Sequence, residues 1–320
     1  MDTLLIIDGN AIMHRAFHAL PPFKTKTGVP TQVIYGFFGM LGKALELFKP
    51  THVAICFDTP KKTFRQKLLK EYQAQRPEMA DDFKQQIPLL QNLIDKAGIF
   101  REEQDGLEAD DVIGTIAQKA KDKKMRTLIL TGDKDIMQLV NHHVFVISPK
   151  FGLTEITLYD EDAVMKKLGV MPSMIPDYKA LVGDPSDNYP GAKGIGPKSA
   201  ITLLEKFHTV ENLLEHVNQL PDGRQKDLIE SNRENIILSK KLAVIVQDAD
   251  IEFNFDKAKF DGFAKSFKDE LEKYEMKSLI ARLFKDPSFA RGKAGAKVGK
   301  ETSKPKRIKV EDPKDQIGMF

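Results

Sequence analysis

The sequence predicts an α/β fold, in which a mainly parallel central sheet is flanked by helices and followed by a smaller helical domain. Short apolar runs rich in β-branched residues occur at 3–7, 52–57, 127–130 and 144–147. They are continuous rather than alternating, which is typical of strands covered on both faces. The segments between them are long enough for crossover helices, so we expect the strands to be parallel. After Pro172 such runs become scarce and helical patterns dominate.

These patterns divide the chain into three predicted parts. We expect an α/β domain at 1–168, a helical domain at 169–288, and a flexible basic tail or linker at 289–320. Residues 291–320 carry nine Lys/Arg against four Asp/Glu, a net charge of +5, whereas the whole chain has a net charge of +3. The body is therefore not uniformly basic, and affinity for nucleic acid must come from local patches.

The composition excludes several classes of protein. Charged residues make up 30% of the chain and hydrophobic residues 41%, as in globular domains. No apolar run approaches the roughly 20 residues of a membrane span, and the first residues lack the features of a secretory signal. The single cysteine, Cys56, excludes an internal disulfide and is expected to be a buried thiol. We expect a cytoplasmic protein with no membrane association.

Acidic residues gather where the predicted strands end and where one helix begins. Because the carboxyl ends of parallel strands share one edge of a sheet, these side chains should converge there. Each acid alone could be a helix cap or a loop residue. Together they would repel one another and raise each other's pKa values unless cations neutralised them. The nine acids are Asp8, Asp58, Glu108, Asp110, Asp111, Asp133, Asp135, Asp184 and Asp187.

The ligand type indicates the metal. Carboxylates without a His or Cys cluster favour Mg²⁺ or Mn²⁺ over zinc. Two such ions about 4 Å apart form a centre for phosphoryl transfer, in which one ion activates water and both stabilise charge on the phosphate. The sequence therefore predicts a two-metal site at the sheet edge.

The stretch GAKGIGPKSAITLLEKF has the form of a helix-hairpin-helix motif, which we place at about 184–207. Gly194 and Gly196 permit close approach by a backbone, and Pro197 suits a first helical turn. Free amides at that helix start could bind a phosphate, with Lys198 adding charge. The alternative is an ordinary αα-hairpin. A motif of this kind contacts backbone rather than bases, so we expect little sequence specificity.

A basic segment at 61–86 has two interpretations. Phe64, Leu68 and Tyr72 are four residues apart and would lie along one face of a helix. The segment is then either a solvated surface helix or a basic element whose aromatic side chain stacks on a base.

The chain resembles the 5′-nuclease domain at the N-terminus of bacterial DNA polymerase I, in the flap endonuclease family. The resemblance covers roughly residues 3–288 and implies a PIN/resolvase-like sheet domain and a helical domain with the hairpin motif. It also implies a two-metal, structure-specific 5′-3′ exonuclease and flap endonuclease that removes 5′ flaps and RNA primers. The matching stretches are IIDGNAIMHRAFHALPP, CFDTPKKTFRQ, DGLEADDVIGT, TGDKDIMQLV, VGDPSDNYPGAKGIGPKSA and KSLIARL.

Site residues carried over from the resemblance fall into metal ligands and DNA contacts. The first metal would use Asp8, Asp58, Glu108 and Asp110, and the second Asp110, Asp133, Asp135 and Asp187, while Asp111 and Asp184 would act mainly through water. Arg76 joins the ligands as a catalytic residue, within a helical arch at about 61–100. The implied DNA contacts are Arg15, Arg65, Tyr72 and Arg76, with Lys193, Gly194, Gly196 and Lys198 in the hairpin, where K⁺ is often bound.

One position departs from the family pattern. The family usually has a lysine directly after the arch tyrosine, where it assists the scissile phosphate, and this chain has Gln73. An amide cannot supply that charge, so either Lys67, Lys70 or Lys84 substitutes or the rate is lower.

The nuclease is our first functional hypothesis. A structure-specific DNA-binding module with weak catalysis and a PIN-type ribonuclease are the alternatives, and the hairpin motif favours duplex DNA over RNA. We expect a monomer whose partners are branched, flapped or nicked duplex DNA and RNA primers, fused to or cooperating with a DNA polymerase.

Overall fold

The computed structural model describes residues 1–150 and 155–285, so the predicted tail at 289–320 lies outside the described residues. A six-stranded sheet, in the order β3-β2-β1-β4-β5-β6, forms its centre. All neighbouring strands are parallel except β6, which is antiparallel to β5. The strands are β1 (Thr3–Asp8), β2 (His52–Cys56), β3 (Phe100–Glu102), β4 (Arg126–Leu130), β5 (Val144–Pro149) and β6 (Ile156–Tyr159).

The predicted α/β class with a mainly parallel sheet is confirmed. Four of the strands correspond to the apolar runs of the sequence, and β3 and β6 are additional. Both additions lie at the edges of the sheet, and their residues are only partly buried. They therefore lack the continuous apolar pattern that a doubly covered strand requires.

Helices cover both faces of the sheet. Side chains alternate along β1, so that Leu4 and Ile6 belong to one hydrophobic core, and Leu5 and Ile7 to the other. The helices are α1 (Gly9–Ala19), α2 (Gln32–Phe48), α3 (Phe64–Leu68), α4 (Asp81–Lys84), α5 (Gln86–Ala97), α6 (Ala109–Asp122), α7 (Glu161–Leu168), α8 (Ile175–Val182), α9 (Pro197–Phe207), α10 (Val210–Glu215), α11 (Arg224–Ser231), α12 (Arg233–Ala243), α13 (Phe255–Ala258), α14 (Lys265–Lys273) and α15 (Lys277–Leu283).

The helical half of the chain packs on both faces rather than beside one of them. The core that holds Ile6 also holds Ile116 of α6 and Leu204 of α9. The opposite core is completed by Phe267 of α14 and Leu283 of α15, which pack with α2 and α5. The hydrophobic core is therefore continuous across the predicted division at 168/169, which itself remains a prediction.

The prediction that Phe64, Leu68 and Tyr72 lie along one helix face is wrong. Helix α3 ends at Leu68, because the backbone becomes extended at Leu69. The chain then turns so that Tyr72 is buried with Leu242 against α12. Tyr72 is thus 4% exposed and has no free ring face for stacking on a base in this structure.

Among the described helices, none is both long enough and apolar enough to span a membrane.

Candidate metal centre and DNA interface

Asp8 marks the centre of the carboxyl edge, at the junction of β1 and α1. One carboxylate oxygen caps α1 by accepting a bond from the Ala11 amide (2.9 Å), and the other accepts one from the Thr131 hydroxyl (2.7 Å). The residue is 3% exposed. Burial raises the pKa of Asp8 to about 7, against the lowering effect of these bonds.

Two further carboxylates meet at the start of α6. Asp58, directly after β2 and Phe57, accepts a bond from the Ala109 amide (2.8 Å). Glu108 caps α6 and accepts bonds from the Thr63 hydroxyl (3.1 Å) and the Tyr72 hydroxyl (3.2 Å). Burial raises the pKa of Glu108 to about 7. The first turn of α6 thus completes an acidic cluster with the ends of β1 and β2.

Asp110 differs from its neighbours in having no neutralising partner. No donor within residues 1–150 and 155–285 hydrogen-bonds its carboxylate. Burial raises its pKa well above the usual value, and the charges of Asp133 and Asp8 raise it further. A buried carboxylate without a partner binds either a proton or a cation, because both neutralise its charge. The surrounding oxygen ligands fit Mg²⁺ or Mn²⁺.

The carboxylates that follow β4 meet a lysine from the helical half. The Asp133 amide donates to the Thr131 hydroxyl (2.9 Å), and the Asp135 amide donates to the Asp133 carboxylate (2.8 Å). Lys179 of α8 forms ion pairs with both Asp135 and Asp184.

Lys179 was not among the residues predicted from the sequence. A lone lysine in an amphipathic helix carries no local signal for such a position, and only its spacing of five residues from Asp184 hints at it. Burial raises the pKa of Asp135 to about 6, the charge of Asp133 raises it as well, and Lys179 opposes both. Burial also acts to raise the pKa of Asp184, but Lys179 and Ser186 outweigh it, so that this pKa is lowered.

Three of the carboxylates lie close enough together to hold one metal ion. Asp135, Asp184 and Asp187 each offer an oxygen within 4.8 Å of the other two. Such a separation allows one cation to contact all three carboxylates. The structure therefore places acids from the end of β1, the segments after β2 and β4, the start of α6 and the segment before α9 at one edge, and their role as metal ligands stays a prediction.

Asp111 and Arg65 lie differently from the sequence-based expectation. The Arg65 guanidinium donates two bonds to the Asp111 carboxylate (2.7 and 2.9 Å) and one each to the carbonyl oxygens of Leu242 and Val244. Asp111 also accepts the Val246 amide (2.9 Å). Both side chains are buried, so Arg65 offers no free donor to DNA and Asp111 is already neutralised. The pair joins α3, α6 and the chain after α12.

The arch segment (residues 61–100) is joined to Asp187 and its neighbour Asn188 by hydrogen bonds, an arrangement that we call the closed arch. One Asp187 carboxylate oxygen accepts bonds from Arg76 (2.8 Å) and the Gln73 side-chain amide (3.1 Å). The other lies 3.2 Å from the Tyr72 hydroxyl, whose single hydrogen is shared between Asp187 and Glu108. The Asn188 side chain donates to the Glu71 carbonyl (2.8 Å). Arg15, on α1, is half-buried and pairs with no carboxylate among the described residues.

The hairpin motif follows Asp187 directly in the chain. Gly183 and Gly191 cross so closely that a Cβ atom at Gly191 would lie 2.8 Å from the Cα of Gly183. Gly194 has φ +97°, which an L-residue rarely adopts. Helix α9 begins after Gly196 with Pro197 in its first turn, which leaves amides at its start. The side chains of Lys193 and Lys198 are exposed.

Acids of this number at the edge of a parallel sheet, next to a glycine hairpin, define a nuclease of the metal-dependent class. The model of the N-terminal resolvase-like domain of 5′-3′ exonucleases matches residues 3–169, and that of the C-terminal SAM fold matches residues 170–266. The chain belongs to the 5′-3′ exonuclease family. The predicted resemblance and the two-part fold class are therefore confirmed.

Similar proteins include a 5′-3′ exonuclease and several DNA polymerases I. The 5′-3′ exonuclease of Aquifex aeolicus is 40% identical over 286 residues, covering 89% of this chain and 96% of that protein. DNA polymerase I of Bacillus caldotenax is 38% identical over 286 residues, covering 89% of this chain but 31% of that protein. The chain thus spans about a third of the length of the DNA polymerase I relatives.

The bacteriophage T5 flap endonuclease, solved with DNA and metal ions, shares the fold. Its TM-score is 0.63 at 20% identity, and the match covers 85% of this chain and 99% of that chain.

Proposed function

We propose that the chain is a structure-specific 5′ nuclease that hydrolyses phosphodiester bonds near the 5′ ends of flapped, branched or nicked duplex DNA. The observation that carries the proposal is the Asp110 carboxylate, which has no donor among the described residues although acids from three strands surround it. Two divalent ions, Mg²⁺ or Mn²⁺, would activate a water molecule and neutralise charge on the phosphate when bound there. Asp8, Asp58, Glu108 and Asp110 would hold one ion, and Asp110, Asp133, Asp135 and Asp187 the other.

The surrounding residues have distinct proposed roles. Thr131 and the amides at the starts of α1 and α6 orient the Asp8 and Asp58 carboxylates. Lys179 keeps Asp135 and Asp184 together. Arg15 of α1 and Arg76 of the arch segment would contact the scissile strand.

The hairpin would bind the duplex through its backbone. Exposed amides at the start of α9, together with Lys193 and Lys198, suit phosphate rather than base edges, and K⁺ bound by the turn would add to this contact. We further propose that the protein acts as a monomer in the cytoplasm, accepts RNA primers, and is fused to or cooperates with a DNA polymerase, as in the relatives of that name.

The test is cleavage of a labelled 5′-flap DNA with and without Mg²⁺. The wild-type protein should cut only with metal, and Asp110→Asn, which keeps the shape but not the charge, should not cut. Asp95→Asn is the matched control, because Asp95 of α5 pairs with Arg101 of β3 and takes no part in the acidic cluster. Absence of metal-dependent cutting by the wild type would contradict the proposal.

A second candidate, a DNA-binding module with weak catalysis, is favoured by Gln73. Gln73→Lys would supply the charge of the family pattern, and single-turnover cleavage at saturating Mg²⁺ compares it with the wild type. Lys84 already pairs with Glu78 and Asp81, whereas Lys67 and Lys70 are exposed. A faster variant would show that the missing charge limits the rate, and an unchanged rate would indicate that another residue fills the role.

A further inference from the structure

Gln73 contacts Asp187 through both its backbone and its side chain. Its amide N–H donates to the Asp187 carbonyl (3.0 Å), and its side-chain Nε2 donates to the Asp187 carboxylate (3.1 Å). The backbone of Gln73 is held at φ +58°, in the left-handed region that side-chain-bearing residues seldom occupy. A strained backbone persists where the surrounding contacts over-determine it.

The hydrogen bonds leave Asp187 one oxygen with spare capacity. Oδ1 accepts both Gln73 and Arg76, and the one donor near Oδ2 is the Tyr72 hydroxyl, whose single hydrogen is shared with Glu108. A carboxylate oxygen has about two lone-pair sites, so Oδ1 is full and Oδ2 keeps one. A cation among Asp135, Asp184 and Asp187 can therefore bind through Oδ2 while the contacts to the arch persist.

The chemistry of the donor matters as much as its position. Gln73 is neutral, so it orients the carboxylate without adding a positive charge that would repel a cation. Hydrogen bonds to ligating carboxylates commonly support metal affinity from outside the ligand set.

We propose that Gln73 is a positioning residue for the metal site of Asp135, Asp184 and Asp187, and that metal binding and closure of the arch support each other through the Gln73–Asp187 contact. The inference rests on the proposed function, since it requires that these carboxylates hold an ion. Because coupling between two events is reciprocal, metal should hold the arch closed as strongly as the closed arch favours metal.

The first test measures Mn²⁺ binding to the purified full chain without DNA. The electron paramagnetic resonance signal of free Mn²⁺ reports how much of the ion is bound. Gln73→Ala should weaken one class of Mn²⁺ site by roughly tenfold, as for other partners of metal ligands. Gln75→Ala is the matched control, an exposed glutamine two residues away. The thermal midpoint in EDTA should be the same for both variants, which separates a metal effect from loss of fold.

The second test measures the reciprocal effect. Trypsin cleaves after basic residues, and Lys67 and Lys70 are exposed in the arch segment. Mn²⁺ should slow cleavage there in the wild type and in Gln75→Ala, and should slow it much less in Gln73→Ala.

Asp187→Asn distinguishes the role of Gln73 from the existence of the metal site. If Asp187→Asn loses Mn²⁺ affinity and Gln73→Ala does not, the role of Gln73 is overturned and the proposed metal site stands. If Asp187→Asn binds Mn²⁺ as the wild type does, the metal site is overturned together with the inference. Weaker binding in both variants, with trypsin protection lost in Gln73→Ala, supports the coupling.

Discussion

Neighbouring carboxylates in this site have opposite surroundings. Asp110 has no donor among the described residues, whereas the adjacent Asp111 accepts the Arg65 guanidinium and the Val246 amide. Successive residues in an α-helix point about 100° apart, so one faces the sheet edge and the other the protein interior. The sequence shows two consecutive aspartates and cannot distinguish them, because the difference arises from where α12 and Arg65 pack.

The raised pKa values predict how metal and pH act together. A carboxyl whose pKa is raised on folding contributes stability that is fully present below about pH 4 and is lost as pH rises through its folded pKa. Folded pKa values of about 7 for Asp8 and Glu108, and about 6 for Asp135, place this loss between about pH 4 and pH 7.

Mg²⁺ competes with these protons, so it should raise the thermal midpoint more at about pH 8 than at about pH 5.5. Differential scanning fluorimetry in EDTA and in saturating MgCl₂ measures the difference. Asp110→Asn should lose most of the increase, and an equal increase at both values of pH in the wild type would contradict the prediction.

At the scale of elements, the Arg65–Asp111 pair fastens the start of the arch to α6. Arg65→Ala would leave the Asp111 carboxylate buried without its main partner, and we expect a loss of about 3–5 kcal/mol in the free energy of unfolding. Arg65→Lys should also destabilise, because an ammonium cannot reproduce two parallel bonds.

Urea denaturation measures both losses, with exposed Lys67→Ala as the control that stays within about 0.5 kcal/mol. A stable Arg65→Ala protein with weakened DNA binding would instead restore the sequence-based expectation that Arg65 contacts DNA.

We expect the hairpin to serve duplex binding and the proposed metal ligands just before it to serve cleavage. Asp187→Ala should lower flap cleavage by roughly 100-fold or more while sparing duplex affinity. A Cβ at Gly196 would meet nothing within 4 Å, so Gly196→Val should fold normally and weaken duplex binding several-fold. Flap cleavage rates, and DNA affinity measured by fluorescence anisotropy in Ca²⁺, distinguish the two variants. An equal loss of DNA affinity in both would contradict this division of roles.

At the scale of the whole molecule, the last described helices complete the core of the first half. Phe267 of α14 packs on Phe38 of α2 with ring centroids 4.6 Å apart, and Leu283 of α15 lies over Gly42. Each buried side chain of this size contributes about 1.5–3 kcal/mol, and whole domains are stable by only about 5–15 kcal/mol.

A chain that ends after Ala258 should therefore fail to fold cooperatively, whereas one that ends after Lys285, which keeps the whole described core, should melt cooperatively. Circular dichroism melts compare them, and a cooperative melt of the shorter chain would contradict the shared core.

The sequence predicts those parts of the fold and site that a local pattern encodes, and it does not predict those that depend on contacts between distant residues. Continuous apolar runs predict β1, β2, β4 and β5, and the acids that follow them predict the site, because strand order brings those acids to one edge. The place of Lys179 in the site and the contact of the arch with Asp187 depend on residues far apart in the chain, such as Gln73 with Asp187. No local pattern encodes them.

The crossing of Gly183 and Gly191 bears on the length of the DNA product. Only six residues lie between Asp187 and Gly194, and the close approach of Gly191 to Gly183 limits how far that connection can stretch. If the duplex sits on the hairpin as proposed, the number of nucleotides between the bound duplex and the scissile bond is set by main-chain geometry. Substitutions on the protein surface would then alter how tightly or how fast the enzyme works, yet leave the size of the released fragment unchanged.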